Sequence, residues 1–343
     1  MKKSSTEFDA IRRYQNENNR VRRQLREVTD AQFGMADFLE GVELAVKKCT
    51  KLKFPKVVSS RRKGTRCTAE LLFSDLQIGK LSGDFSTAVA KARVKEYTKA
   101  VIGEIADKQR AGHVVERVVL ALLGDIIESD KKHKNSARAT DSGTATQVAD
   151  AIEIIFKEVI LPLALLGIPM EVVCITGNHD HDDHGLVMFR PGKEQLSWPL
   201  YQSLRMLSEA TGLKHVEFLI PEGSFAVLDF YGQQALYEHG VGISVNETAM
   251  RSHKAKRSEQ LNSPITYYRQ GDKHTVSTFN SNQYVVNGAF FGASSKGIDY
   301  SEIAGFSSVP AQWMGWHTAR NDGRFTIWDS FVIQLGHIKG GSK

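Results

Sequence analysis

Three stretches rich in apolar and β-branched residues, AELLFS (69–74), VVERVVLALL (114–123) and IPMEVVCIT (168–176), are separated by two long segments of helical periodicity, STAVAKARVKEYTKAVIGEIADKQ (86–109) and TQVADAIEIIFKEVILPLALL (146–166). This alternation constrains the fold more than any other feature of the chain. Parallel strands cannot be joined by a tight turn; each pair needs a crossover of a dozen residues or more, which a helix supplies. The pattern therefore predicts an α/β fold with a βαβ sheet covered by helices. Beyond residue 215 the rhythm changes to short strand-like runs: VEFLI, FAVLDF, QALYEH, QYVVN and RFTIWDSFVIQL. The helical stretch SVNETAMRSHKAKRSEQL (244–261) interrupts them. Two packed sheets flanked by helices satisfy both halves.

At 343 residues, 41% hydrophobic and 24% charged, the chain has ordinary globular composition and can bury a sizeable core. No apolar run approaches the roughly 18–20 residues that span a bilayer, and MKKSSTEFDA lacks the apolar segment of a signal peptide, so the expectation is a soluble, cytoplasmic protein without a membrane partner. Cys49, Cys67 and Cys174 are odd in number and far apart, which indicates neither a disulfide framework nor a thiolate zinc site.

The charge is unevenly placed. Residues 1–66 hold 17 Lys+Arg against 8 Asp+Glu, a balance of +9, whereas the remainder carries −3. Phe8, Ile11, Tyr14, Val21, Leu25 and Val28 recur at helical spacing, and the other faces of that segment carry Arg12, Arg13, Arg20, Arg22, Arg23 and Arg26. A second, shorter helix, DFLEGVELAVKK, follows, and then KLKFPKVVSSRRKGTR, with Pro55, paired serines and a run of cations, reads as a linker. The expected organisation is a basic helical segment and linker over 1–66 and a second domain over 67–343. Such asymmetry suits a polyanionic partner, DNA foremost, or equally a solvated helical face; the apolar spacing also suits pairing with a second copy.

Each of the first three strand candidates ends on polar residues that apolar packing does not call for: SDLQ at Asp75, LLGDIIE at Asp125, and ITGNHD at Asn178, His179 and Asp180. In a parallel sheet the carboxyl ends of the strands share one rim, and ligands bind there. Strand alternation further predicts that Asp75 and Gln77, two apart, face the same way.

Taken in order, these blocks resemble the calcineurin-like metallophosphoesterases, whose pattern is DxH, GDxx[DE], GNH[DE], a lone His and GHxH. The matching residues are Asp75-Leu-Gln77, Gly124-Asp125-Ile-Ile-Glu128, Gly177-Asn178-His179-Asp180, His239 in LYEHGVG, and Gly271-Asp272-Lys273-His274. The resemblance covers roughly residues 68–335 and implies a four-layer αββα double β-sandwich. With GNHD, DLQIGK and no Arg after GDIIE, it looks closer to the repair-nuclease branch and to phage-encoded DNA exonuclease-like phosphoesterases than to protein phosphatases, whose pattern is GDxxDRG and GNHE, and so implies a nuclease acting on DNA. It also implies two divalent metal ions, a pair that can clamp a phosphate and activate water. By that resemblance Asp125 bridges the ions, Asp75, Gln77 and His274 complete one shell, and Asn178, His239 and Asp272 complete the other. His179 stays off the metal to bind phosphate and protonate the leaving group, oriented by Asp180 or Glu128.

Two histidines of the family pattern are replaced by oxygen donors, Gln77 and Asp272. Oxygen-rich shells suit Mn²⁺ or Mg²⁺ over Zn²⁺, so manganese is expected. Two alternatives stand beside the nuclease: a small-substrate phosphodiesterase or phosphatase, and a catalytically silent DNA- or protein-binding relative. His181, Asp182, Asp183 and His184 read as the start of a polar loop running to Trp198, and His337 as a tail residue. There is no GxxxxGK, HExxH or GxSxG, which leaves NTPase, zincin and serine-hydrolase readings without support.

Overall fold

The computed structural model describes residues 64–130, 139–180, 192–193, 195–292, 305, 309–320 and 322–339. The expected N-terminal helices, Cys49 and the 181–184 cluster lie outside these. The elements in chain order are β1 (Arg66–Phe73), α1 (Thr87–Arg110), β2 (Val114–Leu122), α2 (Thr144–Ile155), α3 (Leu161–Ala164), β3 (Met170–Cys174), α4 (Ser197–Ala210), β4 (Val216–Leu219), β5 (Phe225–Phe230), β6 (Gln233–Glu238), α5 (Glu247–Gln260), β7 (Ile265–Gln270), β8 (Ser277–Phe279), β9 (Tyr284–Val286), β10 (Ala311–Thr318) and β11 (Ile327–Gln334). They form two mixed sheets, ordered β11-β10-β1-β2-β3-β4 and β5-β6-β7-β9-β8. β1 to β4 run parallel, while β10 and β11 pair antiparallel on the far side of β1.

Side-chain alternation sorts the first sheet into two faces. Leu71, Phe73, Val118, Leu120, Leu122, Val172 and Cys174 pack with Val94, Tyr97, Val101, Ile152, Ile155 and Leu204 of the helices. Leu72, Val119, Ala121, Leu123, Val173 and Ile175 face the other way, onto Ala235, Tyr237, Tyr267 and Val285 of the second sheet. The outer face of that sheet, Leu236, Tyr268, Tyr284 and Val286, takes Met250 of α5. The layers therefore run helix, sheet, sheet, helix, the αββα double sandwich expected.

Capping and periodicity account for the helices. Ser86 accepts from Val89 N at the start of α1, and Val89, Arg93, Tyr97, Val101 and Ile105 recur four apart on its buried face. Asn246 caps α5 in the same way, accepting from Ala249 N at 2.8 Å. The predicted continuous helix over 146–166 is broken by a π-helical turn, Phe156–Ile160, ahead of α3. Pro162, which has no N–H to donate back along the helix, stands two residues past the end of that turn, in α3. Four elements were not expected from the sequence: α4, whose first two residues fell in the loop expected up to Trp198, and strands β7, β8 and β10. No helix among the described residues is long and apolar enough to cross a membrane.

One buried polar cluster ties the two sheets together. Glu70 of β1 accepts from Arg269 Nε (2.9 Å) and Tyr237 Oη (2.7 Å) on Oε1, and from Arg269 Nη2 (3.0 Å) and His317 Nε2 (2.9 Å) on Oε2. All four residues are fully buried. Burial opposes the charge on Glu70, but Arg269 and His317 more than offset it and hold its carboxyl at about 2; burial keeps His317 below its ordinary value.

Candidate metal centre

The polar strand ends do converge on one rim, though by a backbone route that strand periodicity does not anticipate. β1 ends at Phe73, so Asp75 and Gln77 lie beyond it, and both adopt positive φ, 53° and 44°. Their shared orientation cannot be read from strand alternation. Asp125 (52°), Asp272 (64°) and His274 (55°) are also left-handed, so five of the seven predicted ligands occupy a region that costs an L-residue roughly 1–2 kcal/mol. Strain of this kind persists where surrounding contacts over-determine the backbone.

Those contacts are specific. Past the strand ends the two loops run side by side: Asp75 N donates to Gly124 O (3.1 Å), Gln77 N to Asp125 O (2.9 Å) and Ile78 N to Ile126 O (2.9 Å). Ahead of Asp75, Ser74 N donates to Gln312 Oε1 (3.0 Å) and Ser74 Oγ to Gly288 O (2.9 Å), while Asn287 Nδ2 donates to both Ser74 Oγ and Gln312 Oε1. The glycines of the two GD/GN blocks have a packing reason. A Cβ on Gly177 would fall 2.1 Å from Asp125 N and Oδ1, and one on Gly124 would fall 2.6 Å from Gly177 Cα. Only bare backbone lets the β2 and β3 loops approach so closely.

Within this frame, one ligand atom each of Asp75, Asp125 and His239 lie within 4.8 Å of one another, all three residues buried. The other predicted ligands adjoin them. His239 Nε2 is 2.9 Å from Asn178 Oδ1, 3.3 Å from Asp125 Oδ1 and 3.7 Å from Asp272 Oδ1; His274 Nε2 is 3.3 Å from Asp75 Oδ1; Asp272 N donates to Asp75 Oδ2 at 3.2 Å. His239 Nδ1 donates to Leu123 O at 2.6 Å, which fixes the ring with Nε2 toward the carboxylates. Burial disfavours its charge, yet Asp125 and the neighbouring Asp75 and Asp272 raise His239 to about 10. Burial likewise pushes Asp125 upward, but His239 and His179 outweigh it and hold Asp125 far below the usual carboxylate range.

The donor set fits a divalent cation. Gln77 is fully buried, and neither its Oε1 nor its Nε2 has a hydrogen-bond partner, an arrangement that costs roughly 1–3 kcal/mol unless the amide is ligated. Asp75 Oδ1 likewise accepts no hydrogen bond.

His179 stands at the edge of the cluster, its side chain 15% exposed where Asp125 is 1%, with Nε2 3.9 Å from Asp125 Oδ2. Of the two carboxylates expected to orient it, Glu128 meets the ring: Nδ1 is 3.3 Å from Glu128 Oε2 and 3.3 Å from its carbonyl oxygen. Asp180 is turned to the backbone instead, Oδ2 accepting from Gly177 N at 2.6 Å, and burial raises its carboxyl. Asp180 is thus a clamp on the Gly177-Asn178 turn. Lys80 and Phe291, outside the motif blocks, also reach the cluster: Lys80 Nζ lies 3.6 Å from Glu128 Oε2 and 4.7 Å from the Phe291 ring centroid, and that ring packs edge-on against His274. The Lys after DLQIG was the available signal. His337, 60% exposed, is the tail residue expected.

No family model and no curated protein matches the chain. Among solved structures it is similar to an archaeal phosphodiesterase (12% identity, 78% of this chain and 99% of that one, TM-score 0.34). It is also similar to vacuolar protein sorting 29 from Cryptosporidium parvum (10%, 78% and 98%, TM-score 0.35) and to a predicted phosphoesterase from Streptococcus pneumoniae (10%, 78% and 98%, TM-score 0.30). At such identities and scores these likenesses carry no weight for function, which rests on the chain's own residues.

Proposed function

We propose that the protein is a two-metal phosphodiesterase, with Mn²⁺ as its ion and DNA as its substrate. The observation that carries the metal-dependent reading is the buried meeting of Asp75, Asp125 and His239, each delivered by a different loop, beside an unpartnered Gln77 amide. Asp125, flanked by both halves of the cluster, would contribute to holding both ions. Asp75, Gln77 and His274 would hold one, and Asn178, His239 and Asp272 the other. Five of these seven donors are oxygens, which favours the harder ion. Bound divalent ions supply Lewis-acid charge for a phosphate and for the attacking water. The chain supplies the rest. His179, partly exposed beside the cluster, binds a phosphate oxygen and donates the proton that the leaving oxygen needs, while Glu128 accepts from Nδ1 and keeps Nε2 toward the substrate.

The DNA assignment is supported by the +9 of residues 1–66. Replacing Arg12, Arg13, Arg20, Arg22, Arg23 and Arg26 with Gln removes six cations. If all six neutralise phosphates, the slope of log affinity against log salt flattens by about 5. Turnover of a small chromogenic phosphodiester should stay near wild type in the same variant. Unchanged DNA affinity and slope would remove the charge argument. A wild type that cleaves the chromogenic ester but neither single- nor double-stranded DNA would make it a small-substrate enzyme.

A further inference from the structure

We propose that Lys80 is a positioning residue for the hydrolytic step, acting through Glu128 on His179; this rests on the phosphodiesterase reading above. Two nitrogens flank the same buried oxygen, Glu128 Oε2: His179 Nδ1 at 3.3 Å and Lys80 Nζ at 3.6 Å, Nδ1 also lying 3.3 Å from the Glu128 carbonyl oxygen. A buried carboxylate needs paired charge to stay fixed, and an imidazole that must move a proton each cycle is a poor sole anchor. Lys80 takes no part in that transfer. Its side chain is only 15% exposed, and its ammonium rests on the Phe291 ring.

The backbone beneath Lys80 is held as firmly. Gly79 has φ +95°, and a Cβ there would strike the Gln147 amide at 2.3 Å. Gly79 N donates to Thr87 Oγ1 (3.0 Å) and Lys80 N to Gln77 O (3.0 Å). Gln147 Oε1 in turn accepts from Ser129 N (2.8 Å), the residue after Glu128. One segment, 75–80, therefore carries Asp75 and Gln77 at the metal centre and Lys80 at the acid. Lys80 fixes Glu128, and Glu128 fixes the ring of His179. Direct phosphate binding by Lys80 is the competing role, and the two differ in measurable ways.

The test uses the full chain loaded with Mn²⁺, a series of aryl phosphodiesters of graded leaving group, and the variants Lys80→Met, Lys80→Arg, His179→Ala and Lys80→Met/His179→Ala. Positioning predicts that Lys80→Met lowers kcat by about 10-fold on the poorest leaving group and little on the best, a fraction of the 10²–10⁴ typical of a general acid. KM should stay within about two-fold, Lys80→Arg should recover most of the loss, and Lys80→Met should cost nothing further in the His179→Ala background. Nitrogen-15 NMR of the histidine side chains, recorded on the protein loaded with diamagnetic Mg²⁺, should show the His179 ring resonances displaced in Lys80→Met, with Mn²⁺ stoichiometry by calorimetry unchanged. A raised KM with kcat intact, an equal loss in the His179→Ala background, or unmoved His179 resonances would overturn the proposal. A wild type that binds Mn²⁺ but hydrolyses no phosphodiester would instead overturn the functional reading, and the NMR comparison would still report whether Lys80 sets the imidazole.

Discussion

Arg269→Met is the substitution that most directly probes how the two sheets hold the site. Glu70 sits in β1 five residues before Asp75, and Arg269 in β7 three residues before Asp272, so their bidentate pair joins the strands that deliver ligands from opposite sheets. Methionine keeps about the length of the aliphatic stem but removes the guanidinium that lies over the Tyr267 and Trp313 rings, and with it both N–H groups that Glu70 accepts from and those reaching Tyr268 O, Asn282 O and Gln283 O. Breaking a buried pair by removing one partner costs about 3–5 kcal/mol, a large share of the 5–15 kcal/mol that holds a domain together. Urea unfolding monitored by tryptophan fluorescence should therefore show that loss at pH 7, and the double variant Glu70→Gln/Arg269→Met should be less damaging than the sum of the singles.

Acid should expose the same cluster in the wild type. Glu70 has its carboxyl depressed from 4.5 to about 2, so its contribution, about 3 kcal/mol, is complete above pH 4.5 and is lost as pH falls toward 2. His317 is also lowered, so the unfolded chain takes up its proton first and stability begins to decline below about pH 6.5. Arg269→Met should flatten the part of the profile that belongs to Glu70. An Arg269→Met protein within 1 kcal/mol of wild type, with an unchanged acid limb, would refute the reasoning.

Gly177→Ala places a methyl group 2.1 Å from Asp125, so it should lose about 1–3 kcal/mol of stability and weaken Mn²⁺ binding, whereas Gly103→Ala, with open space around the added carbon on α1, should gain up to about 1 kcal/mol; thermal melts and calorimetry distinguish them. Gln77→His adds a nitrogen donor at the orphan amide and should shift metal preference toward Zn²⁺ in competition titrations; a wild type already as tight for Zn²⁺ as the variant would contradict the oxygen-shell account.

What could be read from the sequence, and what could not, divides on burial of polar groups. The βαβ half was legible because Leu71, Leu120 and Val172 follow ordinary apolar strand chemistry, and the rim residues stood out because Asp75, Asp125 and Asn178 end such strands. β7 and β10 were missed because ITYYRQ and AQWMGWHT hold Arg269, Gln270, Gln312 and His317, polar residues that hydropathy assigns to the surface and that here lie wholly inside. Their signal is a partner elsewhere in the chain: Glu70 inside an apolar run predicts a buried cation, but not which one. The left-handed turns at Asp75, Gln77, Asp125, Asp272 and His274 were equally hidden, because none is a glycine. Close backbone approach, visible only in three dimensions, stabilises them. The choice of Glu128 over Asp180 beside His179 follows from the same turn, whose Gly177 N–H takes the Asp180 carboxylate.

The most direct test of the metal centre is calorimetric titration of Mn²⁺ into the wild type and into Asp125→Asn, in two buffers of different ionisation enthalpy. The wild type should take up two ions per chain and release protons, because His239, raised to about 10 by its carboxylate neighbours, must give up its Nε2 proton to ligate; affinity should accordingly rise with pH. Asp125→Asn should lose most of that uptake while its circular dichroism stays that of the wild type. A wild type that binds no Mn²⁺, or an Asp125→Asn protein that binds it with unchanged stoichiometry and affinity, would contradict the account.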